Sequence, residues 1–401
     1  MVRNSGDNYS TDWWWTSPYN EAPEVRQDQL FPETIKIHDA TLRDGEQTPG
    51  VVLNKDEKIL IAEMLDEVGV HRIEAGMPAV SEEDAAAVKE ISKRVKAEVF
   101  AFVRAMPKDI EQAVNCGARG VVIEVPIGLP KLRYQFNWTW EDVLRRSIDA
   151  INRSKELGLY TVFFPYDTTR AEWSDLENLL TRIMNESPPD SVGVVDTTGC
   201  ITPSAYKHLI KKVRQITGLP VEAHTHNDLG MAVANEMAAV EAGVGVLHTC
   251  VNGMGERTGN AALEEVVVAL RTMYGYDLGL RYDLLTKLSN TVERLTGFQL
   301  APNKPITGSG NFVRESGIGI DMVYQHPLAM FSLNPAFVGQ KPQAVLGKKS
   351  GAASIRMKLD ELGLEATAEE MEKLLKEVKA LGMKKKALVS DSEFQQLYKK
   401  M

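Results

Sequence analysis

The stretch from residue 35 to residue 77, IKIHDATLRDGEQTPGVVLNKDEKILIAEMLDEVGVHRIEAGM, decides the fold. An apolar run (35–42) opens it and passes into charge. Asn54 then starts an amphipathic segment that Gly69 ends, as a helix cap and a helix stop should. A second apolar run follows at 71–77. Runs that are apolar on both faces read as strands buried inside a parallel sheet. The unit is therefore strand, helix, parallel strand.

The same rhythm continues through EVFAFV (98–103), GVVIEVPI (120–127), TVFFPYD (161–167), SVGVVDTTG (191–199), PVEAHTHND (220–228) and VLHTCVNG (246–253). Helical segments fit between them. Ser81 and Asp84 have capping-box spacing, Thr139 opens a helix that Gly158 ends, and further helices fit 173–187, 203–216, 229–242 and 260–274. Eight such units in about 240 residues predict an α/β fold, a (β/α)8 TIM barrel over 35–280. A doubly wound open sheet would want a Gly-rich dinucleotide turn after the first strand, and none stands there.

Outside the barrel, residues 1–34 read as an irregular arm. Its Trp13, Trp14 and Trp15 need cover, expected from the arm's own domain or a neighbouring subunit. Residues 281–355 read as an appended subdomain that opens with a helix and turns rich in Gly and Pro. Residues 356–401 read as charged amphipathic helices, with Lys384, Lys385 and Lys386 on a solvated face.

Composition narrows the function. With 43% hydrophobic and 25% charged residues, the chain is an ordinary folded protein. A net charge of −9 argues against nucleic acid or anionic membrane as main partner. No signal peptide or membrane-length apolar run is present. Cys116, Cys200 and Cys250 show no CxxC and read as buried thiols of a reducing compartment, so a cytoplasmic enzyme is expected.

In a barrel of this type the active site lies at the C-terminal ends of the strands. His224 and His226 end the seventh strand two residues apart, so both imidazoles point to one side. Asp44 ends the first strand segment, and Asn260 stands at the start of the helix after the eighth. Asp, His, His and Asn form a nitrogen and oxygen donor set that suits Mn2+, Mg2+, Zn2+ or Co2+. Arg43 is a candidate oxyanion stabiliser; because neighbouring side chains on a strand diverge, a simple ion pair with Asp44 is not required. Its plainer role is a bridge to Glu74, which ends the second strand. Thr197 reads as a contact for a substrate carboxylate or as a helix cap. In the aromatic and basic stretch 126–140, Lys131 and Arg133 are candidates for meeting a carboxylate or a CoA phosphate, while Trp138 and Trp140 read as packing on the following helix.

The runs Asp39–Gln47, His224–Asp228 and Asn252–Asn260 resemble the three signatures of the DRE-TIM metallolyases, and Glu74–Pro78 and Asp196–Gly199 also fit. The resemblance covers about residues 34–350 and is nearest to the branch of 2-isopropylmalate, homocitrate and citramalate synthases. It implies condensation of an acyl-CoA, usually acetyl-CoA, with a 2-oxo acid, and a homodimer. It implies Asp44, His224 and His226 as metal ligands with Asn260 nearby, Arg43 at the enolate, and Gln47 and Thr197 on substrate. It also implies no feedback through a regulatory domain of the long isopropylmalate synthase type, since none follows residue 401.

The pattern is broken in one half of the site. Tyr166 stands where the synthases carry a catalytic Glu, Gly319 where they carry a His, and Met330 where they carry a Tyr. Tyr166, His326 and Tyr324 are replacements by position. The lyase branch would need a Cys in the loop 253–257, which has none, although Glu74 matches a Glu used there. Three readings follow: a condensing enzyme with a rebuilt acid–base set, a retro-aldol or retro-Claisen lyase, and a metal-binding barrel without catalysis.

Overall fold

The computed structural model describes residues 9–401. Eight parallel strands close into a barrel in sequence order: β1 (Lys36–Asp39), β2 (Arg72–Glu74), β3 (Glu98–Arg104), β4 (Gly120–Pro126), β5 (Tyr160–Tyr166), β6 (Ser191–Asp196), β7 (Val221–Thr225) and β8 (Val246–Thr249). β8 pairs back onto β1, His38 against His248. One main helix follows each strand: α1 (Lys55–Val68), α2 (Glu82–Arg94), α3 (Pro107–Asn115), α4 (Trp140–Glu156), α5 (Trp173–Glu186), α6 (Pro203–Thr217), α7 (Ala232–Glu241) and α8 (Leu263–Thr272). This is the TIM barrel expected from the rhythm of the sequence.

The local signals act as they should. Asn54 Oδ1 accepts from Glu57 N at 3.0 Å, Glu57 returns the bond to Asn54 N, and Gly69 leaves α1 at φ 97°. Ser81 caps α2, but the Asp84 carboxylate does not return to the Ser81 amide. It takes the Ser81 hydroxyl and the buried Lys58 ammonium instead. Strand alternation sends Phe100, Phe102, Val122, Val162, Phe164 and Val195 into one interior cluster. Gly120 makes room for it: a Cβ there would lie 2.4 Å from the Phe100 ring and 2.7 Å from the Tyr160 carbonyl oxygen.

This first compact unit runs from Pro18 to Leu300, wider at both ends than 35–280. The helix α9 (Leu285–Thr296), read as the start of the appended segment, packs against α1 and the turn after β8 through buried Leu288 and Val292. At the other end Tyr276 donates to the Pro32 carbonyl at 2.7 Å.

The second unit comprises residues 9–17 and 301–401. It holds the short parallel pair β9 (Val313–Arg314) and β10 (Gln343–Ala344) and the helices α10 (Ala352–Leu362), α11 (Ala368–Lys385) and α12 (Asp391–Lys399). Its core joins Leu346 to Ile355, Leu359, Leu374, Val378, Val389 and Phe394. The separation at residue 355 read from composition therefore falls inside one core. Trp14 is buried in this unit, 5.4 Å from the Phe337 ring, whereas Trp13 and Trp15 stay about half exposed. The triple-Lys run at the end of α11 is exposed. No helix among the described residues is long and apolar enough to cross a membrane.

Candidate active site

At the C-terminal mouth of the barrel, Asp44, His224 and His226 bring their ligand atoms together. Asp44 Oδ2 lies 3.3 Å from His224 Nε2 and 3.7 Å from His226 Nε2, and the two Nε2 atoms are 3.3 Å apart. All three side chains are buried. The pairing of His226 with Asn260 in an isolated bridge draws Asn260 to the same corner. Asn260 Nδ2 donates to the Met254 carbonyl at 3.0 Å, while its Oδ1 and Asp44 Oδ1 are buried without a partner. Gly255 keeps this corner open, since a Cβ there would sit 2.3 Å from Asn260 Nδ2 and 3.0 Å from Asp44 Oδ1.

The electrostatics favour a ligand set. Burial opposes the charge on Asp44, but the guanidinium of Arg43 and the imidazole of His226 hold its carboxyl well below the usual range. Burial lowers the His224 pKa to about 3, so this imidazole is neutral, the form that ligates. Two imidazole nitrogens and a carboxylate facing one another, with unpartnered oxygens beside them, fit a divalent cation.

Arg43 does pair with Asp44. Residues 40–44 form a turn, with Asp44 N donating to the Ala40 carbonyl, and this swings Arg43 Nη1 to 3.0 Å from Asp44 Oδ2. The extended geometry that would have parted them ends at Asp39. Arg43 Nε also donates to Glu74, and the guanidinium carbon lies 4.1 Å above the Phe102 ring. Nη2 remains buried without a partner.

Behind Glu74 a polar ladder descends the barrel. Glu74 Oε2 lies 3.0 Å from His38 Nε2. His38 stacks on His248 at 4.1 Å and 6°. His248 Nε2 reaches Glu222 at 2.9 Å, and Glu222 accepts from Arg72 at 2.9 Å. Burial would raise the Glu74 pKa, but Arg43 and His38 bring it down to about 2. His38, Glu74 and His248 also form a group with metal-ligand spacing, yet each imidazole already has a carboxylate on Nε2. Sequence reasoning missed His38, His248, Glu222 and Arg72. The available signal was a charged residue inside a strand buried on both faces.

The remaining candidates divide. Thr197 is buried and its Oγ1 accepts from Asp167 N at 2.8 Å, tying the β5 and β6 loops rather than capping a helix. Lys131 Nζ lies 5.1 Å from the centre of the Tyr166 ring at the end of β5. Arg133 does not join them: it is exposed and 6.0 Å from the exposed Tyr134 ring. Gln47 is exposed on a short 3-10 turn after Asp44, lining with Arg43 and Met77 a cavity of ≈ 370 Å³. Trp138 lies against Arg146 of α4, with the guanidinium 4.3 Å from its ring, a packing role. Cys200 is exposed rather than buried, because it lies in the turn after β6, where its amide donates to Asp196. In the second unit, Gly319 and Met330 are neighbours: a Cβ at 319 would lie 2.9 Å from Met330 Sδ. His326 is exposed, and the Tyr324 hydroxyl accepts from Ala344 N at 3.1 Å.

Comparison with known proteins shows the family of the chain. The HMGL-like family model matches residues 34–292, and the model for a homocitrate synthase post-HMGL domain matches residues 306–386. The chain is 39% identical to homocitrate synthase AksA of Methanopyrus kandleri, over 95% of each chain. It is 40% identical to a probable 2-isopropylmalate synthase of the same organism, covering 89% of this chain and 71% of that one. It is also 40% identical to (R)-citramalate synthase CimA of Methanocaldococcus jannaschii, over 87% and 71%. Among solved structures, hydroxymethylglutaryl-CoA lyase from Pseudomonas aeruginosa aligns with a TM-score of 0.61 at 19% identity, covering 70% of this chain and 98% of that one, a likeness of fold.

Proposed function

Because the chain belongs to the HMGL-like family of the DRE-TIM metallolyases, we propose that it is a divalent-metal-dependent enzyme joining an acyl-CoA, acetyl-CoA foremost, to a 2-oxo acid. The observation that carries this reading is the buried Asp44–His224–His226 triad with the unpartnered Nη2 of Arg43 beside it. Similarity along nearly the whole length to a homocitrate synthase supports the condensing branch.

Asp44, His224 and His226 would hold the ion, with Asn260 at its edge. A divalent cation bound there supplies Lewis-acid polarisation of a carbonyl. Arg43 is held by Glu74 and Asp44 so that Nη2 meets the oxyanion that develops, with no reorganisation needed at that moment. The Thr197 hydroxyl, already accepting from a backbone amide, directs its own proton to the substrate carboxylate. Lys131 supplies a cation at the β4 and β5 edge. Gln47 completes the contacts in this reading. A homodimer in the cytoplasm belongs to the same proposal, and light scattering of the purified protein checks the dimer.

The test is thiol release from acetyl-CoA with Mn2+ or Mg2+ across a panel of 2-oxo acids, with Asp44→Ala as control. Release that requires one oxo acid and vanishes in the variant supports the reading. Silence with metal bound turns the assignment to cleavage of a hydroxy acid, the lyase reading that the changes at Tyr166, Gly319 and Met330 favour, or to a barrel without catalysis.

A further inference from the structure

We propose that Glu124, in the interior of β4, is the catalytic base that takes the proton from the acyl-CoA. The proposal rests on the condensation reading above and supplies the group which that reading lacks at Tyr166.

The placement follows from strand parity. Val121, Ile123 and Val125 are fully buried on the outer face of β4, against which α4 packs. Val122 belongs to the interior cluster, so Glu124, two residues on, points into the barrel one layer nearer the mouth. Glu124 is the one residue of β4 that is not fully buried. Its register partner on β5 is Phe164, and that of Pro126 is Tyr166, so Glu124 lies one strand over and one layer below the position of the expected Glu. The charges of Arg43, Asp44, Lys131 and Glu256 act on its carboxyl group, which agrees with the placement that strand parity gives. Burial pushes its pKa up, as suits a group that must hold a proton.

The other carboxylates near the mouth are engaged. Glu74 is held by Arg43 and His38. Asp167, next to Tyr166, is buried and clamped by Arg170 at 2.8 Å. Asp196 takes Thr169 and the Cys200 amide, and Asp228 takes Arg257. Glu124 alone of this set has no hydrogen bond or ion pair among the described residues.

In the proposed step Glu124 takes one proton from the carbon next to the thioester carbonyl. The C–H electron pair becomes the enolate and forms the new carbon–carbon bond to C2 of the 2-oxo acid, whose carbonyl π pair moves onto oxygen. That alkoxide takes up one proton, water cleaves the thioester to a carboxylate and the CoA thiol, and Glu124 returns its proton to solvent.

The experiment compares wild type with Glu124→Gln and Glu124→Ala. It measures thiol release with the oxo acid that the panel identifies, Mn2+ affinity, and rescue by formate. A base predicts a fall in kcat of about 10²–10⁴-fold, Mn2+ affinity unchanged, and recovery of the Ala variant by formate. Wild-type kcat in both variants, or a loss that formate leaves untouched while Mn2+ affinity falls with it, overturns the proposal and leaves the condensation reading standing. A wild type that binds metal and condenses nothing removes both.

Discussion

The two sides of the barrel mouth are built differently. On the β1, β7 and β8 side, every group that touches the ligand triad is fixed: Arg43 by Glu74 and Asp44, Asn260 by Met254, and Glu74 in turn by the His38 ladder. On the β4 and β5 side Asp167 is clamped by Arg170, but Lys131 only lies over the Tyr166 ring and Glu124 has no partner among the described residues. A metal site needs preset geometry and punishes displacement. A proton-transfer site needs only a carboxyl group of suitable pKa within reach, and several positions can supply it. The fixed side holds the residues that match the signatures read in the sequence, and the departures read there at Tyr166 fall on the other side.

This contrast can be broken experimentally. The largest effect is expected from Asp44→Ala, which should weaken Mn2+ binding by more than ~100-fold and abolish turnover; calorimetric titration of the metal checks it. Arg43→Gln removes the unpartnered donor and should cost about 10²–10³-fold in kcat while metal still binds; unaltered kcat would show that the fixed side needs only its metal ligands. Tyr166→Phe keeps the ring beneath Lys131 and should cost under ~10-fold in steady-state kcat. A larger loss would move the proton-transfer role from Glu124 to the Tyr166 hydroxyl. Arg133→Ala should leave kcat and KM nearly unchanged, because its guanidinium is exposed and lies toward Tyr134.

A fifth test addresses the layer behind the fixed side. Glu236 on α7 is fully buried, accepts from Thr225 at 2.8 Å, and has Oε2 without a partner. Burial pushes its pKa from 4.5 up to about 8. The unfolded chain therefore ionises this group first as pH rises. Stability should fall between pH 4.5 and about 8 and then level off, by a few kcal/mol in this one contribution. Melting curves of Glu236→Gln should lack that part of the slope; parallel pH profiles for the two proteins would exclude it.

The barrel and the fixed side were legible in the sequence because they depend on short-range patterns. Two-residue spacing put His224 and His226 on one face, and caps such as Asn54 and Gly69 marked the helices. Groups that depend on register between distant strands were not legible. His38 meets His248 only because β8 closes onto β1, and Glu222 meets Arg72 across the barrel floor. Glu124 sits inside GVVIEVPI, where an apolar run hides one charge, and its parity with Val122 acquires meaning once the interior cluster is known. The sequence left the pairing of Arg43 with Asp44 open, and the turn that replaces the strand there closes it. The 355 boundary failed because composition does not report that Leu346 shares a core with Phe394.

The glycine at 319 bears on how this chain can change. Its φ of 67° is a conformation that L side chains adopt only at a cost of about 1–2 kcal/mol, and the Met330 thioether fills the space beside it. Reinstating the histidine of the synthases would thus ask for a new backbone conformation and a smaller or displaced neighbour together. Neither change alone makes room for a side chain at 319, so backbone conformation and neighbour bind the two positions to one another.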